Sequence, residues 1–201
     1  MDKETKQQFP IIGDDGLSRP PWAAHDPLLR HYYDTEWGMP IRDEAGMFER
    51  LCLEGFQVGL SWKLILQKRD ALREAFHGFD PDALARMDSI EHLLDDASLI
   101  RNRRKLQAVL TNASATRELR ESGTDLATFI WSYQPETTPT PRTMEEVPTQ
   151  SEESRRLARD LKKRGFTFVG PVTMYALMES TGIIDTNLIG THRRGASGVW
   201  S

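Results

Sequence analysis

Leu51-Cys52-Leu53-Glu54-Gly55-Phe56-Gln57-Val58-Gly59-Leu60-Ser61-Trp62 sets one carboxylate and one large aromatic inside an otherwise apolar helical run. An unpaired charge buried in such a run costs several kcal/mol, so Glu54 calls for a positive or hydrogen-bonding partner. Upstream, His31-Tyr32-Tyr33-Asp34-Thr35-Glu36-Trp37-Gly38 supplies further aromatics. An acid flanked by aromatic planes suits a flat, cationic, ring-shaped ligand, held by stacking and by charge.

Helix signals extend in both directions from this stretch. Asp26-Pro27 is an N-cap followed by proline at the first helical position, opening a helix through Tyr32 and Tyr33. Asp43 starts a second helix with Met47, Phe48, Leu51 and Cys52 on one face, and Ser61 caps a third containing Leu64, Ile65 and Leu66. Asp80-Pro81 opens a short one. Ile90 to Thr116 reads as two helices joined by a tight basic turn. Residues 134–148 are rich in proline and threonine and form a loop. Thr149 with Glu152 fits a capping box for a helix ending at Lys162-Lys163-Arg164, and a last apolar helix runs from about Val169 to Gly182. No period-two strand and no repeat stands out. The fold class is all-α: residues 1–18 are a flexible, polar N-terminal extension and residues 19–201 a single helical domain.

The totals fit that picture. The 201 residues, 38% hydrophobic and 28% charged, are enough to bury a core. No apolar run approaches the ~20 residues needed to span a bilayer, which argues against a membrane partner. The polar start lacks the apolar stretch of a signal peptide, and Cys52, the single cysteine, agrees with a reducing compartment; the expected location is the cytoplasm. A net charge of −4 argues against a protein that grips nucleic acid over its whole surface. Local basic clusters remain, at Arg101-Asn102-Arg103-Arg104-Lys105, Lys162-Lys163-Arg164 and Arg193-Arg194.

Taken together, these motifs resemble the bacterial 3-methyladenine DNA glycosylase I family. The resemblance rests on Trp22, Asp26-Pro27, Tyr32, Asp34, Glu36-Trp37-Gly38, Cys52-Leu53-Glu54-Gly55, Gly59-Leu60-Ser61-Trp62 and Phe79-Asp80-Pro81. It continues through Ile100-Arg101-Asn102-Arg103, Phe129-Ile130-Trp131-Ser132, Leu161-Lys162-Lys163-Arg164-Gly165-Phe166 and Phe168-Val169-Gly170, and so covers about residues 20–190 in order. It implies a compact helix-hairpin-helix glycosylase fold and a monomer acting in base-excision repair on double-stranded alkylated DNA. The enzyme would hydrolyse the N-glycosidic bond of 3-methyladenine, releasing the free base and leaving an abasic site. Within the resemblance, Glu54 matches the carboxylate that contacts the base, Trp62 and Tyr32 the aromatics that sandwich it, and Trp37 a pocket wall. Gln57 and Trp22 lie beside these motifs and are assigned to the pocket. Arg101, Arg103, Arg104, Lys105, Lys163 and Arg164 are assigned to DNA phosphates. Asp34 and Glu36 read as helix caps or braces, and no separate activating aspartate is implied.

Two departures from the family pattern stand out. Ser98 occupies a position before Leu99-Ile100 where glycine is usual, and a backbone shape that needs glycine would be strained by serine. Family members also typically carry a structural zinc on two cysteines and two histidines. The corresponding positions here are Pro20, Tyr33, Asn187 and Thr191, so no metal and no cofactor is expected. Tyr33 is expected to fill that site, with Asn187 bonding nearby backbone. His25, His31, His77, His92 and His192 offer no ligand spacing of their own.

Two other functions compete with excision. A binding protein of the same fold, without turnover, would recognise damaged DNA or a free modified base. A helical protein-interaction module would leave the cluster of acid and aromatics unexplained.

Overall fold

Side chains that accept from the first free amides fix most helix starts in this chain. The computed structural model describes residues 8–200. Two short antiparallel strands, β1 (Ile11–Ile12) and β2 (Ser18–Arg19), precede helices α1 (Pro21–Ala24) and α2 (Pro27–Thr35). Asp26 caps α2 by accepting from the amides of Leu28 and Leu29 at 2.9 and 3.1 Å. Asp43 does the same for α3 (Glu44–Gln57), Ser61 for α4 (Trp62–Ala75) and Asp80 for α5 (Pro81–Leu84). Asn102 caps α6 (Arg103–Glu121), and Asp125 caps α7 (Leu126–Trp131). Two further helices follow, α8 (Glu152–Lys163) and α9 (Pro171–Ser180). The all-α reading holds, and no helix among the described residues is long and apolar enough to cross a membrane.

Three local expectations are corrected. Ile90 to Arg101 contains only a single 3-10 turn at Glu91–Leu93 where a helix was expected. The short, acid-flanked stretch Ser89–Ser98 bonds its own backbone instead: Ser89 Oγ accepts from the Glu91 amide, and Asp96 Oδ1 from the amide and hydroxyl of Ser98. The cap of α8 is Ser151, paired reciprocally with Ser154, rather than Thr149 with Glu152. Part of the N-terminal extension forms the β1–β2 hairpin, anchored by Arg19; residues 1–7 of it lie outside the described residues.

Contacts divide the chain into two units. One unit comprises the residues up to Pro40, Pro135–Thr149 and the residues from Glu179 onward. Its three segments are tied by hydrogen bonds between Thr138 and Asp185, from the Ile189 amide to the Pro141 carbonyl and from the Met144 amide to the Gln8 carbonyl. Arg19, 2% exposed, donates to both Asp15 and Asp34 at 2.7–2.9 Å, and these bonds hold the Asp15 carboxyl well below the usual carboxylate range. Gly182 has φ +73°, and a Cβ there would lie 2.7 Å from the Gly38 carbonyl oxygen, so only glycine fits.

The other unit comprises Ile41–Gln134 and Gln150–Met178. Here α3 is the central helix, packed against α4, α6 and α7. It buries Met47, Phe48, Leu51, Cys52, Leu53 and Phe56, each large apolar side chain contributing about 1.5–3 kcal/mol. Phe56, Phe76 and Phe79 continue the core as a run of ring contacts at 6.2 and 5.8 Å.

Candidate functional site

Glu54 lies in the last turn of α3, 4% exposed, with Gln57 half-buried at the end of the helix. The chain then turns within four residues. The Leu60 amide bonds back to the Gln57 carbonyl at 2.7 Å, and Gly59 adopts φ +76°, which a side chain would strain. Ser61 Oγ accepts from the Leu64 amide, placing half-buried Trp62 as the first residue of α4. A carboxylate and an indole are thus set at the two ends of one tight turn.

Lys105 departs from the role expected for it. It is 8% exposed, and its ammonium points inward, donating to the carbonyls of Phe56 (2.7 Å) and Val58 (2.5 Å). Burial pushes its pKa below the ordinary lysine value. A phosphate contact is not open to a charge committed in this way. The helical spacing Lys105, Ala108, Val109, Asn112 puts it on the buried face of α6, a signal that the run of neighbouring basic residues obscured.

The remaining basic residues are exposed. Arg101, Arg103 and Arg104 lie at the start of α6, and Lys163 and Arg164 at the end of α8. Arg103 pairs with Glu91, Lys163 lies 3.5 Å from Asp160, and the Arg164 guanidinium covers Phe129 at 4.6 Å. Arg103 and Arg104 line an open groove of about 570 Å³ with Gln107, Thr111, Thr167 and Phe168. Two features of this region escaped the sequence reading. Phe168 has φ +57°, unusual for a bulky residue, and the turn before it is locked by buried Asn112, whose amide accepts from Thr167 N (2.8 Å) and donates to Thr167 O (3.2 Å). Lys68 Nζ binds the carbonyls of Ala97 and Ser98 at 3.0 and 2.8 Å, fastening the approach to Leu99-Ile100. Ser98 does not adopt positive φ, so serine is accommodated without the strain expected of it.

The other expected base-binding residues belong to the unit that contains the N-terminal segment. Tyr32 is buried on α2. Trp22 and Trp37 come together, 5.7 Å apart, around Tyr33, which stacks on Trp37 (5.8 Å) and meets Trp22 and His192 edge-on. Asp34 is committed to Arg19, with His192 Nε2 3.3 Å away, consistent with a brace.

The positions matching the family's zinc ligands do not fit a metal. Tyr33 Oη donates to Asn187 Oδ1 at 2.6 Å, and burial raises the Tyr33 pKa, keeping the phenol neutral. Asn187 Nδ2 donates to Asp185 Oδ1 at 2.9 Å, Thr191 Oγ1 donates to the Leu188 carbonyl, and Pro20 offers no donor atom. Asn187 therefore bonds side chains, Tyr33 and Asp185, where backbone partners were expected. Arg194 closes the network by donating to the carbonyls of Asp185 and Asn187. No set of three or more His, Cys, Asp or Glu side chains among the described residues could hold a metal ion.

Comparison with known proteins follows the same lines. The chain is 41% identical over 179 residues to DNA-3-methyladenine glycosylase 1 of Escherichia coli K12, covering 87% of this chain and 95% of that one. A crystal structure of 3-methyladenine DNA glycosylase I superposes with a TM-score of 0.84 at 38% identity, covering 88% of this chain and 99% of the other. A tyrosine-to-phenylalanine variant of 3-methyladenine DNA glycosylase I, solved in complex with 3-methyladenine, gives a TM-score of 0.80 at 30% identity and covers 85% and 94%. The Methyladenine glycosylase family profile matches residues 22–194, and the chain belongs to that family.

Proposed function

We propose that this protein excises 3-methyladenine from double-stranded alkylated DNA, working as a monomer in the cytoplasm, with Glu54 recognising the base. The observation that carries the reading is the buried Glu54 carboxylate at one end of a tight turn that ends in Trp62. Relatives that bear the name DNA-3-methyladenine glycosylase support the choice of substrate. Methylation at N3 makes the base cationic, so it leaves readily as a neutral ring: the C1′–N9 bond breaks with its electron pair on N9, water adds to C1′, and the water's proton passes to solvent. The protein has to extrude the nucleotide, which costs a few kcal/mol, and to recognise the charged ring. A carboxylate that accepts from the adenine edge makes a charge-assisted bond, roughly twice as strong as a neutral one. An aromatic stacked on the base adds about 1–3 kcal/mol. That stacking role goes to Trp62 and to Tyr32, with Trp37, Gln57 and Trp22 as further base-binding residues on the strength of the family resemblance. Arg101, Arg103, Arg104, Lys163 and Arg164, exposed in the structure, are proposed for the phosphates.

Release of 3-methyladenine from methylated duplex DNA by the purified protein tests this reading. Glu54→Gln keeps shape and removes charge, so single-turnover excision slows while DNA affinity holds. Wild-type speed in that variant removes Glu54 from the role.

A further inference from the structure

Lys105 is a buried cation whose charge nothing in the proposed chemistry uses. Its backbone amide bonds Asn102 Oδ1 in the first turn of α6, while its ammonium reaches across to the end of α3. Both of its acceptors belong to the segment between Glu54 and Trp62: Phe56 in the last turn of α3, and Val58, where the backbone leaves the helix at φ −52°, ψ 112°. These carbonyls lie at the negative end of a helix, where a cation is stabilised. A helix C-terminus and a tight turn both leave carbonyls in need of donors, and here one side chain serves both.

We propose that Lys105 is a positioning residue: it clamps the Phe56–Val58 carbonyls from α6 and so sets the spacing of Glu54 and Trp62 across the turn. The proposal rests on the base-recognition reading of those two residues. Arg101, Arg103 and Arg104 lie on the same first turn or just before it, so the clamp ties the basic end of α6 directly to the turn that carries the recognition groups. Removing the ammonium leaves the carbonyls without their donor and lets the turn shift. A misplacement of about 1 Å at a reacting centre lowers a rate about 10²-fold.

The test compares Lys105→Met and Lys105→Arg with the wild type on methylated duplex DNA, reading the single-turnover rate at saturating enzyme separately from the enzyme concentration giving half that rate. Lys105→Met is expected to lower the rate about 10²-fold while half-saturation is unchanged. Lys105→Arg, which keeps a cation able to donate to two carbonyls, recovers much of the rate. If Lys105→Met does not fold, Lys105→Gln replaces it, with a smaller loss expected because one donor remains. A full rate with weaker DNA binding and a salt slope reduced by about 1 would make Lys105 a phosphate contact and overturn the proposal. So would unchanged values of both, or failure of Lys105→Arg to recover any rate. Hydrogen exchange of the Gly59–Trp62 amides reads the clamp without turnover. Faster exchange there in Lys105→Met, in a protein whose wild type releases no base, keeps the clamp and refutes the excision reading. Unchanged exchange beside normal wild-type excision refutes the clamp alone.

Discussion

Replacing Tyr33 by phenylalanine removes a single oxygen from a fully buried position and leaves the ring in place. The ring keeps its stack on Trp37 and its edge contacts with Trp22 and His192, so apolar burial hardly changes and the effect isolates the hydroxyl. That hydroxyl donates to Asn187 Oδ1 at 2.6 Å. Without it, a buried amide oxygen loses its donor, a change worth about 1–3 kcal/mol. In a chain of this length each kcal/mol moves the melting temperature by about 2–4 °C, so the midpoint should fall by about 2–12 °C. Thermal unfolding followed by circular dichroism, with and without a metal chelator, measures it. The wild type should be indifferent to chelator, because the Tyr33–Asn187–Asp185 bonds stand where a metal would otherwise hold the segments together. An unchanged midpoint in Tyr33→Phe, or a wild-type midpoint that drops on adding chelator, would refute the reasoning.

Other substitutions probe the rest of the molecule. Trp62→Ala and Tyr32→Ala should each weaken binding of free 3-methyladenine by about 1–3 kcal/mol in calorimetry, and full affinity in both would make the rings core residues instead. Arg19→Met takes the guanidinium away from Asp15 and Asp34 and should destabilise the fold by about 1.5–3 kcal/mol, read from the urea midpoint; an unchanged midpoint counts against the anchoring of the hairpin. The Tyr133 phenol, donating to Asp160 at 2.8 Å, is pushed up to about 12 chiefly by burial and then by that carboxylate. A raised folded value means that this contribution is intact below the unfolded pKa of about 10 and disappears as pH passes about 12. The stability difference between wild type and Tyr133→Phe should therefore close over that range, and a difference that stays constant contradicts the assignment.

The sequence made the helix starts legible where the signal was local. Asp26-Pro27, Asp43, Ser61 and Asp80 each cap a helix with a side chain two or three residues from its donor, a distance that sequence reading handles well. Glu54 and Trp62 stood out for the same reason, since both belong to one short run. The Ser151–Ser154 cap and the Ser89–Ser98 turns are local and still escaped, because several neighbouring polar residues compete for each role. The rest was set by partners far along the chain or by helix facing. Lys105 looked like part of a solvated basic run because its acceptors are 47 and 49 residues away. The bonds of Asn112 to Thr167, 55 residues on, and the left-handed Phe168 beside them left no local trace. At the zinc-ligand positions the identities Pro20, Tyr33, Asn187 and Thr191 were plain. Asp185 lies only two positions before Asn187, yet a short polar run does not by itself tell a side-chain acceptor from a backbone one.

The order of synthesis adds a constraint of its own. Tyr33 and its acceptor Asn187 are 154 positions apart, and at about 5–20 residues per second a ribosome takes roughly 8–30 s to pass from one to the other. During that interval Trp22, Tyr33 and Trp37 exist in the nascent chain without the segment that completes their surroundings. The helices of Ile41–Met178 that make up the other unit have by then all been polymerised. Its core can therefore assemble first, while these aromatics wait for residues made after the whole of that unit. A chain stopped just short of Asn187 would hold every residue of the Glu54-bearing unit and still leave the Tyr33 hydroxyl without its acceptor.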